Sequence, residues 1–504
     1  MRIKIILIII LCIPILYYCL IYNHPLYNNK LFFIFINYLI SCFFYLLHIN
    51  KNGLKYYYPT HIYFIFYTFI FTIAPFVLIA NGKEDCYGVN IMGGCYRGTL
   101  AASLSVCAFM LGFMPLKETK KRLPRITINK IPTNIKNKII RVSLYLFFFS
   151  FIVSAYYQIS RGLNLTFLLS FGTNDVVDIE NSKDPRLFLT SLNYSMIAPW
   201  LIYFFIGKNK ILKIILTYLL ISILFLRGSR FLFYLSIVAF IISYYRINNK
   251  TPNLKIISIV FLGILTFSIF MGNARRNMRQ GKSFENTELF TKEQILWLFE
   301  SNFQIYKPFY GVTNTYPNKD PYTIYTAMIT DPLIMWIPRI IWPSKPTGAE
   351  YTTTTAIQRS VKKEAITKHA LAMPNLADYY IDLGFLGVFL YSLLLGIIAR
   401  KWTRYYYSNN IFKLISYTIF VGALINVINR GYMPSILTLF AFLYLPIVIL
   451  QKIAHIKKTQ SNIHSKDFQL LAIIKSQNFL FNRKYQRYLQ KNKSTLFKHN
   501  DSYQ

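Results

Sequence analysis

The chain has 504 residues, 54% of them hydrophobic and 17% aromatic, and carries a formal net charge of +37. With a mean hydropathy of +0.36, it is too apolar for an ordinary soluble protein of this length. The basic residues fall between apolar stretches, so the charge points to sided membrane loops and not to a nucleic-acid partner.

In chain order, the first apolar stretch is 4–22. It has the length of a spanning helix and no clear small-residue cleavage site, so it reads as a retained helix and not as a signal peptide. Further stretches of spanning length fall at 31–48, 62–80, 98–115, 139–158, 187–206, 211–226, 231–245, 255–272, 382–399, 411–428 and 433–451. A helix crosses the hydrocarbon core with about 17–25 mostly apolar residues. The expected fold is therefore all-α, a polytopic helical membrane protein of about 12 transmembrane helices. Its expected parts are a bundle at 1–272, one large loop at 273–381, three last helices at 382–451 and a basic tail at 452–504. The stretches 211–226 and 231–245 are short and separated only by RGSR. They read either as two tight helices or as a broken, partly re-entrant pair.

Lys and Arg set the sidedness. The segment 116–141 is strongly basic and anchors the cytoplasmic side. Alternation from there puts GKNK (207–210), YYRINNK (244–250), RKWTR (400–404) and both termini inside. It puts 159–186, the RGSR turn and the 273–381 loop outside, together with Cys86 and Cys95. Those two thiols lie close together in DCYGVNIMGGC, and an oxidising compartment would let them form a disulfide. Cys12, Cys19, Cys42 and Cys107 lie in apolar runs and read as small buried hydrophobes.

The long outer loop carries both charge signs, several prolines and many aromatics. Thr291-Lys-Glu-Gln294 has capping-box form. The following Ile295, Leu296, Phe299 and Phe303 repeat at helical spacing, so a packing helix is expected there. The rings of Trp297, Tyr306, Tyr310, Tyr316, Tyr322, Trp336 and Trp342 suit sugar stacking, but are expected chiefly to build the core of the loop.

Arginine on the outer side needs a reason, because short outer loops are normally depleted of Lys and Arg. Arg227 and Arg230 flank Gly228-Ser229. Arg276 belongs to a cluster with Arg275 and Arg279. Arg339 lies in IPRIIWPSKPTG and Arg430 in NRGYMP. A snorkelling anchor is one explanation. An anionic substrate is the other, since guanidinium binds phosphate bidentately and keeps its charge. At the end of the loop come His369 and then MPNLADYYIDLGFLG, which places Asp378 and Asp382 just ahead of the expected helix. The aspartates are candidates for pairing with arginine or capping the helix. Asp378 or His369 is a candidate general base. No donor set with metal-ligand spacing is present, so neither a metal nor a cofactor is expected.

Three features together resemble the bacterial O-antigen polymerase (Wzy) family. They are the RGSR turn after an apolar helix, PRIIWPSKP in the long loop, and LADYYIDLGFLG entering the next helix. The related O-antigen ligases share this GT-C-like architecture but carry a His-Asn pair before the helix. Here Ala370 follows His369 and Asp378 lies nearer the helix, which favours polymerase. The resemblance implies an enzyme of the bacterial inner membrane with a periplasmic loop. It would transfer a glycan from undecaprenyl pyrophosphate to a second lipid-linked oligosaccharide repeat unit. The bilayer is its medium, and a chain-length regulator and a flippase are implied partners. Arg227, Arg230, Arg276, Arg339 and Arg430 would hold the pyrophosphate. Asp378, with His369 in reserve, would serve the acceptor hydroxyl. A ligase and a lipid-linked oligosaccharide flippase are the competing functions. The middles of the spans are nearly free of charge, which argues against translocation.

Overall fold

A computed structural model describes residues 29–53, 55–86, 89–114, 132–160, 191–226, 230–252, 303–335 and 373–454, with isolated positions between them. The expected helices at 4–22 and 255–272, and the basic tail beyond 454, lie outside the described residues. What is described is almost entirely helical. Helices α1 (Asn29–Asn52), α2 (Pro59–Ala80), α3 (Cys95–Phe113) and α4 (Thr133–Ser160) come first. Then follow α5 (Ile197–Ile206), α6 (Lys210–Leu226), α7 (Arg230–Ile247), the loop helix α8 (Tyr306–Thr315) and the short α9 (Asp331–Met335). The chain closes with α10 (Asn375–Tyr406), α11 (Ile411–Asn429) and α12 (Met433–Ala454). Seven of the described helices are long and apolar enough to cross a membrane, and two more are shorter and apolar. The RGSR turn separates two distinct helices, α6 and α7.

Local sequence explains how the helices start and bend. Pro59 opens α2 at a position where its missing N–H costs nothing. A π turn at Phe69–Ile73 widens α2 just ahead of Pro75. Asn410 caps α11, its side chain accepting the N–H groups of Phe412 and Lys413 at 2.8 and 3.4 Å.

Two cores share α11 and, through Ile242, α7. The first joins α1, α2, α3, α8, α10 and α11 with Ile242 of α7. The second joins α4, α5, α6, α7, α11 and α12. Helix α11 is 89% buried along its apolar window and has a face in each. Small residues let the backbones meet: a Cβ on Gly112 would lie 2.3 Å from Leu393 O, and one on Gly396 would lie 2.3 Å from Phe109 O.

The two ends of the bundle differ. At one end Tyr56 bonds Tyr406, Tyr57 bonds Tyr407, and the buried Arg246 donates to Tyr406 O at 3.0 Å. Arg246 lies in YYRINNK (244–250), and Tyr406 and Tyr407 follow RKWTR (400–404), so these two basic segments share one end of the bundle. At the other end lie the hairpin strands β1 (Asp85–Cys86) and β2 (Val89–Asn90), the start of α3, α8, the start of α10 and the α11–α12 link. That second end is called the loop end below.

One face of α10 exposes Leu386, Leu390, Leu394 and Ile398 at four-residue spacing. An unpartnered apolar stripe on a spanning helix belongs against lipid. A carboxylate there costs about 3 kcal/mol near the bilayer centre. Leu394→Asp is therefore expected to lower the amount of protein in the membrane fraction on an immunoblot, while Leu394→Ala leaves it unchanged. Equal amounts of the Asp variant would place this face against protein.

Candidate functional site

The loop end is built around α10. The helix begins at Asn375, directly after Pro374, which is earlier than the expected start at 382. Asp378 and Asp382 therefore lie inside the helix. Its first turns are buried against protein, so charge is tolerated there and the apolar pattern is interrupted. The helix breaks at Leu383 (φ −140°) and Gly384 (φ +62°) and then resumes. Gly384 and Gly387 serve this kink. A Cβ on Gly387 would lie 2.2 Å from Tyr379 O, and one on Gly384 would lie 2.6 Å from the Tyr322 hydroxyl.

The part of the loop from Tyr322 onward docks on this break. The N–H groups of Thr323 and Ile324 donate to Ile381 O and Asp382 O at 3.0 and 3.2 Å. These are carbonyls that a continuous helix would have used itself. Ile324 and Tyr325 adopt φ of +38° and +63°, a region unfavourable to side chains with a Cβ. Asp382, fully buried, fixes the turn. Its Oδ1 accepts from the Thr323 hydroxyl and the Ala327 N–H, both at 3.3 Å, and its Oδ2 accepts the Tyr391 hydroxyl at 2.8 Å.

Asp378 is also buried, and its Oδ2 accepts the N–H of Met433 at 2.9 Å. The preceding Gly431 N–H donates to Met373 O at 2.9 Å. These bonds pin the α11–α12 link to the start of α10. Arg430 is left exposed, its guanidinium 5.8 Å from the ring centroid of Phe231. Phe231 follows Arg230, the first residue of α7. The structure thus brings three expected positions to one place: Asp378, Arg430 and the helix start that carries Arg230. Arg227, Arg276, Arg339 and His369 lie outside the described residues.

Below the loop end a polar chain ties three helices together. Tyr63 bonds Ser105 and Ser105 bonds Ser392, both at 2.7 Å, while Tyr67 donates to Asn375 Oδ1 at 3.1 Å. Beside it is a cavity of about 20 Å³ lined by Asn37, Ser41, Thr68, Thr72, Thr99 and Ser103, among others. It has room for about one water.

The loop helix α8 forms the wall. Tyr306, Tyr310 and Tyr316 are buried in the core, as expected for most of these rings. Leu296, Phe299 and Phe303 pack against the same core, the place expected for the packing helix. Tyr310 bonds Thr99 at 2.9 Å, and its carbonyl would lie 1.8 Å from a Cβ on Gly94. Lys83 and Lys30 pair with Glu300 and Glu84 at 3.5 and 3.7 Å. The expected Cys86–Cys95 disulfide is not formed, and both are buried free thiols. Helix α8 reaches each separately: Lys307 lies near Cys86, and the Tyr310 side chain joins Thr99 of α3 in holding Cys95. Burial pushes the Cys86 thiol up to about 11. It also lowers the Lys307 ammonium from its ordinary value, an effect that nearby Glu300 and Asp85 oppose.

One functional candidate went unnoticed in the sequence. Arg97 follows Tyr96 at the outer edge of the 98–115 stretch, and counting every outer arginine would have found it.

No curated protein and no solved structure matches the chain. The model of the O-antigen polysaccharide polymerase Wzy family matches residues 3–458. With this match over nearly its whole length and a set of membrane-spanning helices, the chain belongs to the O-antigen polysaccharide polymerase Wzy family.

Proposed function

We propose that the loop end is the periplasmic working face, and that it joins undecaprenyl-pyrophosphate-linked repeat units in the bacterial inner membrane. The observation that carries this reading is the meeting of Arg430 with the start of α7, fastened to Asp378 through Met433. An acceptor sugar hydroxyl attacks the anomeric carbon of the growing chain. The bond from that carbon to the pyrophosphate oxygen breaks, and the hydroxyl proton passes to a base. The leaving group departs as lipid pyrophosphate. Fixed cations at the departing oxygens lower the barrier because they are in place before charge develops.

Arg430 and Arg230 fit that role by position, with Arg227, Arg276 and Arg339 as further pyrophosphate ligands. Asp378 fits a positioning role: its buried carboxylate holds the segment on which Arg430 sits. His369 is the proposed base. Ile324, Tyr325, Ile329 and Leu333 expose an apolar surface beside the start of α10, suited to the bilayer interface. A chain-length regulator and a flippase remain the proposed protein partners.

The test is complementation of a strain lacking the gene. Arg430→Ala and Arg230→Ala are each expected to turn a glycan ladder on a gel into a single-repeat band. Removing a donor to a developing oxyanion typically costs about 10²–10³ in rate. Normal ladders from both variants would remove these residues from the site. A strain whose lipid acceptor carries no repeat at all would point instead to ligation.

A further inference from the structure

Helices α3 and α10 run in the same direction from the loop end, and their contacts define a register. Ser105 bonds Ser392 at 2.7 Å, and Gly396 packs against Phe109 O. Both pairs differ by the same offset (392 − 105 = 287 and 396 − 109 = 287). Toward the loop end the same pairing brings the start of α3, which carries Arg97, to the first turns of α10, just ahead of its break. Arg97 lies within electrostatic reach of the Tyr380 hydroxyl. Tyr380 makes edge contacts with Phe309, Tyr322 and Phe385. The Nη1 of Arg97 is buried and has no hydrogen-bond partner among the described residues. A buried guanidinium nitrogen left unpaired is costly, and native structures rarely leave one so without a use.

We propose that Arg97 is an anion-binding residue near the break of α10, taking a phosphoryl oxygen of the lipid-linked substrate. The proposal rests on the polymerase reading for the identity of the substrate, but its chemistry stands apart: a fixed cation at the loop end, edged by aromatic faces. The planar fork of Arg97 suits a phosphate.

The experiment uses the full chain in detergent and in cells. Inorganic pyrophosphate is the probe, read as the rise in thermal midpoint with concentration. The wild type is expected to be stabilised, and Arg97→Gln is expected to bind about tenfold or more weakly, the size of one charge-assisted contact. Arg97→Lys keeps the charge without the fork and is expected to fall between them. In cells the Gln variant should give a single-repeat band. An unchanged pyrophosphate response, or a normal ladder, would overturn the proposal. So would stabilisation by anionic phospholipid in nanodiscs with no response to pyrophosphate, which would make the site a headgroup anchor. If the Gln variant fails to reach the membrane, the Lys variant decides by its pyrophosphate response at an unaltered starting midpoint. A wild-type gene that restores no ladder would sink the polymerase reading, while the pyrophosphate comparison would still test Arg97.

Discussion

Replacing Asp382 with Ala is expected to abolish the glycan ladder and lower the thermal midpoint together. The carboxylate is fully buried and receives the Thr323 hydroxyl, the Ala327 N–H and the Tyr391 hydroxyl. Each donor stranded in a dry site costs about 1–3 kcal/mol. The turn those donors hold is already unfavourable, because Ile324 and Tyr325 both have positive φ, a state costing about 1–3 kcal/mol per residue. Without Asp382, the turn is held to α10 by two backbone bonds and the Thr323 hydroxyl on Ile381 O. Asp382→Asn is expected to recover part of the midpoint, since its oxygen still accepts but its amide faces donors. Tyr391→Phe, which removes one bond, should cost least. In a positioning role, stability and activity fall in step across this series. An Asn variant with a wild-type midpoint and no ladder would show that Asp382 takes part in the chemistry itself.

The spanning helices were legible because their apolar length is imposed by the bilayer. Stretches 31–48, 62–80, 411–428 and 433–451 lie within α1, α2, α11 and α12. That the segments 244–250 and 400–404 share one end was also legible, since alternation of spans needs no geometry. What failed to show was structure whose cause is tertiary. Helix α10 starts early because Asp378 and Asp382 find donors on the α11–α12 link and on the 322–327 segment, far away in sequence. An apolar window stops at such residues. Helix α8 has the sequence YKPFYGVTNT, with Pro, Gly, Thr and Asn, which are poor helix formers. It is helical because Tyr306, Phe309, Tyr310 and Val312 are enclosed against α3 and α10. Of the arginines, Arg230 and Arg430 stand out in the sequence beside RGSR and NRGYMP. Arg97 does not, because its proposed role depends on its nearness to the first turns of α10, far away in sequence.

One sensitive position at the loop end carries no functional group. A Cβ on Gly431 would lie 1.9 Å from both the Cα and the N of Asn375. Both are backbone atoms, so no side chain can swing aside, and the start of α10 or the α11–α12 link must move. Overpacking of a tight site typically costs about 1–3 kcal/mol and occasionally more; here the displacement also strains two anchoring bonds, Gly431 N–H to Met373 O and Met433 N–H to Asp378. Gly431→Ala is therefore expected to lower the thermal midpoint and erase the ladder. Arg430→Ala, one residue away, should erase the ladder at an unchanged midpoint, because Arg430 is exposed and its loss leaves the backbone where it is. The contrast separates geometry from charge: the glycine packs the link against α10, and the proposed role of Arg430 on the substrate depends on its charge. A Gly431→Ala variant with a full ladder would mean that the link can shift without cost. The close approach of Gly431 to Asn375 would then have no part in placing Arg430.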